Sequence, residues 1–161
     1  MTLEMPKVWP ARYLLVGEAP SKNHGKRNLD VCLACRALNI RPVPGTMGKL
    51  RTQYPKMFKF TMATKHINLL DEWPGSSGKG SAFPIKDAMF TAATFRLGFK
   101  QYDAVFLAGK RVAKAFGVEA EYFDKVEGDT PIYVVPHPSG INTWWNDPCN
   151  RERARQFLEK F

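Results

Sequence analysis

Two stretches at opposite ends of this chain hold the side chains best suited to chemistry. The first is Tyr13-Leu14-Leu15-Val16-Gly17-Glu18-Ala19-Pro20-Ser21. The second is Ile132-Tyr133-Val134-Val135-Pro136-His137-Pro138-Ser139-Gly140-Ile141-Asn142. Each is an apolar run that reads as a buried strand, broken at once by proline and polar residues. Glu18 can orient or deprotonate a water, and His137 can donate to a departing group. A third run, Thr64-Lys65-His66-Ile67-Asn68-Leu69-Leu70, adds Asn68. Its carboxamide both donates and accepts, which suits an amide-like ring edge. Gly17 lets backbone approach a ligand closely, and Pro20 stops the strand from continuing. Each polar residue also has a plainer reading. Glu18 can cap a helix or pair with a lysine, Asn68 can satisfy a strand end, and His137 can be a satisfied polar residue in a proline-rich loop.

Elements must exist to hold these groups. Hydrophobic patterning predicts strands over 12–16, 64–70, 103–107 and 132–135. Helices are predicted over 29–38, 85–97, 110–116 and 148–160, the last with Asp147 as N-cap and Pro148 in its first turn. Residues 1–11, 21–28, 41–48 and 118–130 read as irregular. The alternation predicts one domain over 1–161, a three-layer α/β/α fold with a four-stranded, mainly parallel sheet. In such sheets ligands bind beyond the C-terminal ends of the strands. Glu18, Asn68 and His137 then share one rim. Residues 49–59 mix Arg51, Lys56 and Lys59 with Tyr54 and Phe58. That mixture suits a nucleic-acid surface, or an aromatic core under a solvated basic face. Gly75-Ser76-Ser77-Gly78-Lys79-Gly80 lacks the Walker A spacing, but Lys79 and nearby N–H groups could cradle a phosphate.

The chain has 161 residues, with 24 Lys and Arg against 15 Asp and Glu, a formal charge of +9. The sequence pI is about 9.6. This balance favours a polyanionic partner, or serves only solubility. Three cysteines make no disulfide framework, and the opening residues lack a signal-like apolar region. With no run long enough to span a bilayer, a soluble, cytoplasmic protein is expected. Cys32-Leu33-Ala34-Cys35 has metal-ligand spacing, yet only Cys149, His24, His66 and His137 remain as partners. Buried structural thiols and no metal are the expectation.

Taken together, Gly17-Glu18-Ala19-Pro20, Asn68 and His137-Pro138-Ser139, each at a strand end, resemble the motifs of the uracil-DNA glycosylase superfamily. The first motif is most similar to the family 4 enzymes. Ser139-Gly140-Ile141-Asn142 is similar to the Ser-Gly-Leu-Asn of the mismatch-specific uracil glycosylases. The resemblance implies a small parallel-sheet α/β fold. It implies a monomeric DNA glycosylase that flips a uracil or modified pyrimidine from DNA and hydrolyses its N-glycosidic bond, leaving an abasic site. Glu18 and His137 would be catalytic. Gly17, Ala19, Pro20, Asn68 and Ser139 would bind substrate. Lys79, Lys110, Ile141 and Asn142 would bind DNA, with Ile141 as the wedge in the stack. No cofactor is implied.

The chain also departs from that pattern. The water-activating carboxylate of well-known relatives lies one position later, where this chain has Ala19, so a loop acid such as Asp30 is a candidate helper. Family 4 enzymes bind an iron–sulfur cluster through four cysteines, whereas this chain has three in another arrangement, so no cluster is expected. The family's Pro-Phe stacking pair is replaced by Asn28-Leu29, leaving Phe58 or Phe60 as substitutes. Trp144 and Trp145 suit either stacking on DNA or the core. Two rival functions stand: a non-catalytic binder of DNA or a modified base, and an enzyme acting on free nucleotides or hypermodified bases.

Overall fold

The structure, a computed structural model, describes residues 11–20, 33–71, 75–77, 80–81, 83–139 and 142–161. In chain order these form β1 (Tyr13–Gly17), α1 (Leu33–Leu38), α2 (Thr46–Gln53), α3 (Pro55–Met62), β2 (Thr64–Asn68), β3 (Ser76–Ser77) and β4 (Gly80–Ser81). There follow α4 (Ile85–Arg96), β5 (Ala104–Ala108), α5 (Lys110–Ala115), β6 (Lys125–Val126), β7 (Ile132–Val135) and α6 (Pro148–Leu158). Lys79, Ile141, Asp30 and Cys32, to which the sequence assigns roles, lie outside the described residues.

Every residue of β1 and β5 is buried, as strands covered on both faces must be. Their side chains alternate between two cores. Tyr13, Leu15, Phe106 and Val135 join Leu50, Met57, Phe60 and Phe157 on one face, under α1, α2, α3 and α6. Leu14, Val16, Val105, Leu107 and Val134 join Ala88, Ala92 and Val112 on the other, under α4 and α5. Phe106 is the hub of the first core. Its ring meets those of Tyr13, Phe60, Tyr133, Phe157 and Phe161 at centroid distances of 5.1–6.1 Å. Burying a ring of this kind stabilises by about 1.5–3 kcal/mol.

The sheet order is β2-β1-β5-β7-β6. β2, β1, β5 and β7 run parallel, while β6 pairs antiparallel on the outer side of β7. The expected count of four strands is thus corrected to five, and β3 and β4 form a separate two-stranded ribbon. β6 falls in 118–130, which reads as loop because a two-residue strand carrying a lysine has no periodicity to detect. The irregular 41–48 is also corrected, since α2 starts at Thr46. Prolines and glycines mask that start. Gly45 precedes it with φ 92°, and no side chain caps it. Burial of Thr46 and Leu50 holds the helix instead. Phe60 is buried and Phe58 packs against the same core, so neither is placed to stack on a base. The C-terminal helix starts as expected, with Asp147 Oδ1 accepting from the Cys149 N–H at 2.8 Å and Pro148 in the first turn.

The connections make a topological switch point. The helices after β1 cover the first core, whereas α5, which follows β5, covers the second. The chain therefore leaves these two adjacent strands toward opposite faces. A parallel sheet opens a ligand crevice at such a switch point, beyond the strands' C-terminal ends.

Candidate active site

Glu18 follows β1 and Arg111 lies in the first turn of α5, so the two flank this crevice. Arg111 Nε donates to Glu18 Oε1 at 2.9 Å, and Nη2 donates to Oε2 at 2.8 Å. This two-pronged geometry matches the guanidinium fork to the carboxylate. The Glu18 side chain is 16% exposed and that of Arg111 46%. The Arg111 guanidinium lies 5.1 Å from the Phe83 ring centroid. The Glu18 carbonyl accepts from the Leu70 N–H at 2.9 Å, which ties this loop to the end of β2. Ala19 and Pro20 follow, half-buried.

Asn68 ends β2 directly beside Gly17, its register partner. A Cβ on Gly17 would sit 2.6 Å from Asn68 Oδ1 and 2.9 Å from His66 Nε2. Glycine is required here because two polar side chains cross the space a side chain would fill. His66 and Asn68, two residues apart on one strand, share a face of the sheet. The close approach expected at Gly17 is therefore made by the protein's own polar groups.

His137 follows β7, between buried Pro136 and Pro138. Its Nδ1 accepts from the Ser139 N–H at 3.1 Å. That bond assigns the ring proton to Nε2 in the neutral form, leaving Nε2–H as a donor. The His137 carbonyl accepts from Asn142 Nδ2 at 2.8 Å and from Trp145 Nε1 at 2.9 Å. The Ser139 carbonyl accepts from Arg36 Nη2 at 2.7 Å. Gly109 completes the seat. Its φ is 99°, and a Cβ there would lie 3.3 Å from His137 Cβ. Burial pushes the His137 pKa below the usual histidine value. The Glu18 carboxylate works against that shift, while Arg111 and His66 add to it. Burial thus favours the neutral imidazole over its charged form. These opposing influences also bring Glu18, Arg111, His66 and His137 into one electrostatic neighbourhood.

The expected Glu18, Asn68, Gly17 and His137 are thus gathered on one rim. Ser139 acts through its backbone on the histidine ring. Asn142, expected at DNA, has its side chain turned inward. Besides bonding the His137 carbonyl, its Oδ1 accepts from the Trp144 N–H at 3.1 Å. Lys110, also expected at DNA, donates from Nζ to the Ala120 carbonyl at 2.5 Å and lies 4.5 Å from the Tyr122 ring centroid. Trp145 is buried and braces the histidine loop, and Trp144 packs against Tyr122 and Phe123. Three residues of the site are not singled out by sequence patterning: Arg111, His66 and Gly109. Their signals are position. Arg111 and Gly109 sit just past a strand end, and His66 lies two residues before Asn68.

No family model and no curated protein matches the chain. Among the described residues, no group of three or more His, Cys, Asp or Glu side chains is disposed to hold a metal ion. No described helix is long and apolar enough to cross a membrane.

Proposed function

We propose that this chain is a DNA glycosylase of uracil-DNA glycosylase fold, hydrolysing the N-glycosidic bond of a uracil or modified pyrimidine flipped from DNA. One observation carries the reading. The Ser139 N–H occupies His137 Nδ1, which leaves Nε2–H as the ring's free donor in the neutral form, on the same rim as a carboxylate and a carboxamide. Breaking the bond between C1′ and the base nitrogen sends the electron pair to the base and leaves cationic character on the sugar. A neutral N–H donor aimed at the base oxygen stabilises the departing anion. The Glu18 carboxylate stabilises the sugar cation and orients a water, whose oxygen bonds to C1′ as its proton passes to the carboxylate and on to the departed base anion. Asn68 reads the pyrimidine edge, with His66 beside it. Arg111 keeps the carboxylate in place. The protein acts as a monomer without a cofactor.

A second reading has an observation of its own. Arg111 engages both oxygens of Glu18, which competes with water for that carboxylate. This favours a non-catalytic binder of DNA or a modified base. The deciding assay incubates the protein with single- and double-stranded oligonucleotides carrying uracil, mismatched bases or 5-substituted pyrimidines, followed by alkali. Breaks at one base, absent in His137→Ala, support the glycosylase. Intact strands together with tight gel shifts support the binder.

A further inference from the structure

The charge of this chain is not spread evenly. Residues 31–70 contain seven Lys and Arg and no Asp or Glu, whereas residues 71–161 contain twelve of each. Most of the net +9 therefore comes from one forty-residue segment, the one that forms α1, α2, α3 and β2. β2 is an outer strand of the sheet, and α3 joins it through the single residue Ala63. Arg41, Lys49, Arg51, Lys56, Lys59 and Lys65 on this flank are all exposed. None of them has an ion-pair partner among the described residues.

The opposite edge has the reverse sign. Beside β6 stand Glu119, Glu121, Asp124, Glu127 and Asp129, all exposed, against Lys125. Two further cations reach this edge but are engaged there. Lys110 is held by Ala120, and Arg153 Nη2 donates to the Tyr122 carbonyl at 3.3 Å. The sheet is thus polarised from a cationic β2 edge to an acidic β6 edge, with the crevice between.

We infer that the α2–α3–β2 flank is a docking surface for a nucleic-acid backbone. The polymer then lies along the β2 side of the sheet, and not over the acidic β6 edge. Charge complementarity carries the assignment. Surface cations without acidic partners release condensed counterions when they meet phosphates, and the acidic edge repels the same polymer. The inference rests on nucleic acid as the partner proposed above, but not on bond hydrolysis.

The test is fluorescence anisotropy with an undamaged DNA duplex at several salt concentrations. Undamaged DNA separates this inference from the glycosylase reading, which the cleavage assay judges alone. In the variant Lys49→Gln/Arg51→Gln/Lys56→Gln/Lys59→Gln, affinity should fall at least about tenfold. The slope of log K against log salt should flatten by about 0.9 for each phosphate the variant no longer neutralises. Glu119→Gln/Glu121→Gln/Asp124→Asn should leave the slope unchanged or bind more tightly. Single Lys56→Gln and Lys59→Gln variants give the same reading should the fourfold variant misfold. Unchanged affinity and slope in the α2–α3 variants overturn the inference. So does a loss of binding to phosphatidylserine vesicles with duplex binding intact, which would make the flank a membrane surface.

Discussion

Glu18 and His137 face one crevice but are held by opposite means. Glu18 is gripped by a single charged partner reaching across from another strand's helix, and that partner is nearly half exposed. Water and salt reach such a pair, so its grip is weakened by screening. His137 is held by burial, two flanking prolines, a glycine seat and hydrogen bonds on both its ring and its carbonyl. Burial favours the uncharged ring, so its position comes from these contacts and not from an ion pair. The contrast shows how one rim can hold a carboxylate and an uncharged donor together. A charged group can be positioned by one matching fork, whereas a neutral ring must be positioned by shape.

The largest effect should come from the histidine side. His137→Ala should lower the single-turnover cleavage rate about 10²–10³-fold, the usual worth of one hydrogen-bond donor aimed at developing negative charge. Duplex affinity should be retained. A rate within a few-fold of wild type would place the donor elsewhere. Next is the shaped seat. Gly109→Ala adds a methyl 3.3 Å from His137 Cβ at φ 99°. With ψ at 160°, this is a conformation almost confined to glycine, so a cost of about 1–3 kcal/mol is expected for a side chain there, read as a lower urea midpoint. A neutral result would mean that the seat can relax.

The charged side should respond more gently. Arg111→Gln should slow cleavage on the order of tenfold, the worth of one charge-assisted hydrogen bond. Arg111→Lys should restore part of the rate at low salt and lose it as salt is added. If both variants cleave at the wild-type rate, the fork does not position Glu18 for chemistry. Trp145→Phe removes one of two donors to the His137 carbonyl. It should cost about 1 kcal/mol in the same urea titration.

The smallest effect is a pH dependence of stability. The folded protein holds the His137 pKa below its unfolded value of about 6.5. On acidification the unfolded chain takes up the proton first. The stabilisation is therefore fully present above about pH 6.5 and is lost as pH falls through the folded value. Urea midpoints at pH 7.5 and pH 5 should differ less in His137→Gln than in the wild type. Equal differences would assign the acid sensitivity to other groups.

Much of this was legible from residue order. The two central parallel strands, β1 and β5, follow from buried runs such as Ala104-Val105-Phe106-Leu107, whose apolar character survives any context. Asp147-Pro148 marks a helix start through local hydrogen bonding. What escaped depends on partners distant in sequence. α2 is hidden by Pro42, Pro44 and Gly45 because its stability comes from Leu50 in the core. Asn142 reads as a DNA-binding residue until the fold turns its amide onto the His137 carbonyl. Arg111 reads as one more surface cation.

The sequence by itself determined which side chains stand at strand ends, because an apolar run broken by Gly or Pro is a local property. It also determined that residues 31–70 carry cations without acids. Only the tertiary structure decided that Glu18 meets Arg111, that the Ser139 N–H occupies His137 Nδ1, and that the cationic and acidic segments lie at opposite edges. Those outcomes depend on strand order and burial, which arise when the whole core closes and not from any one stretch of chain.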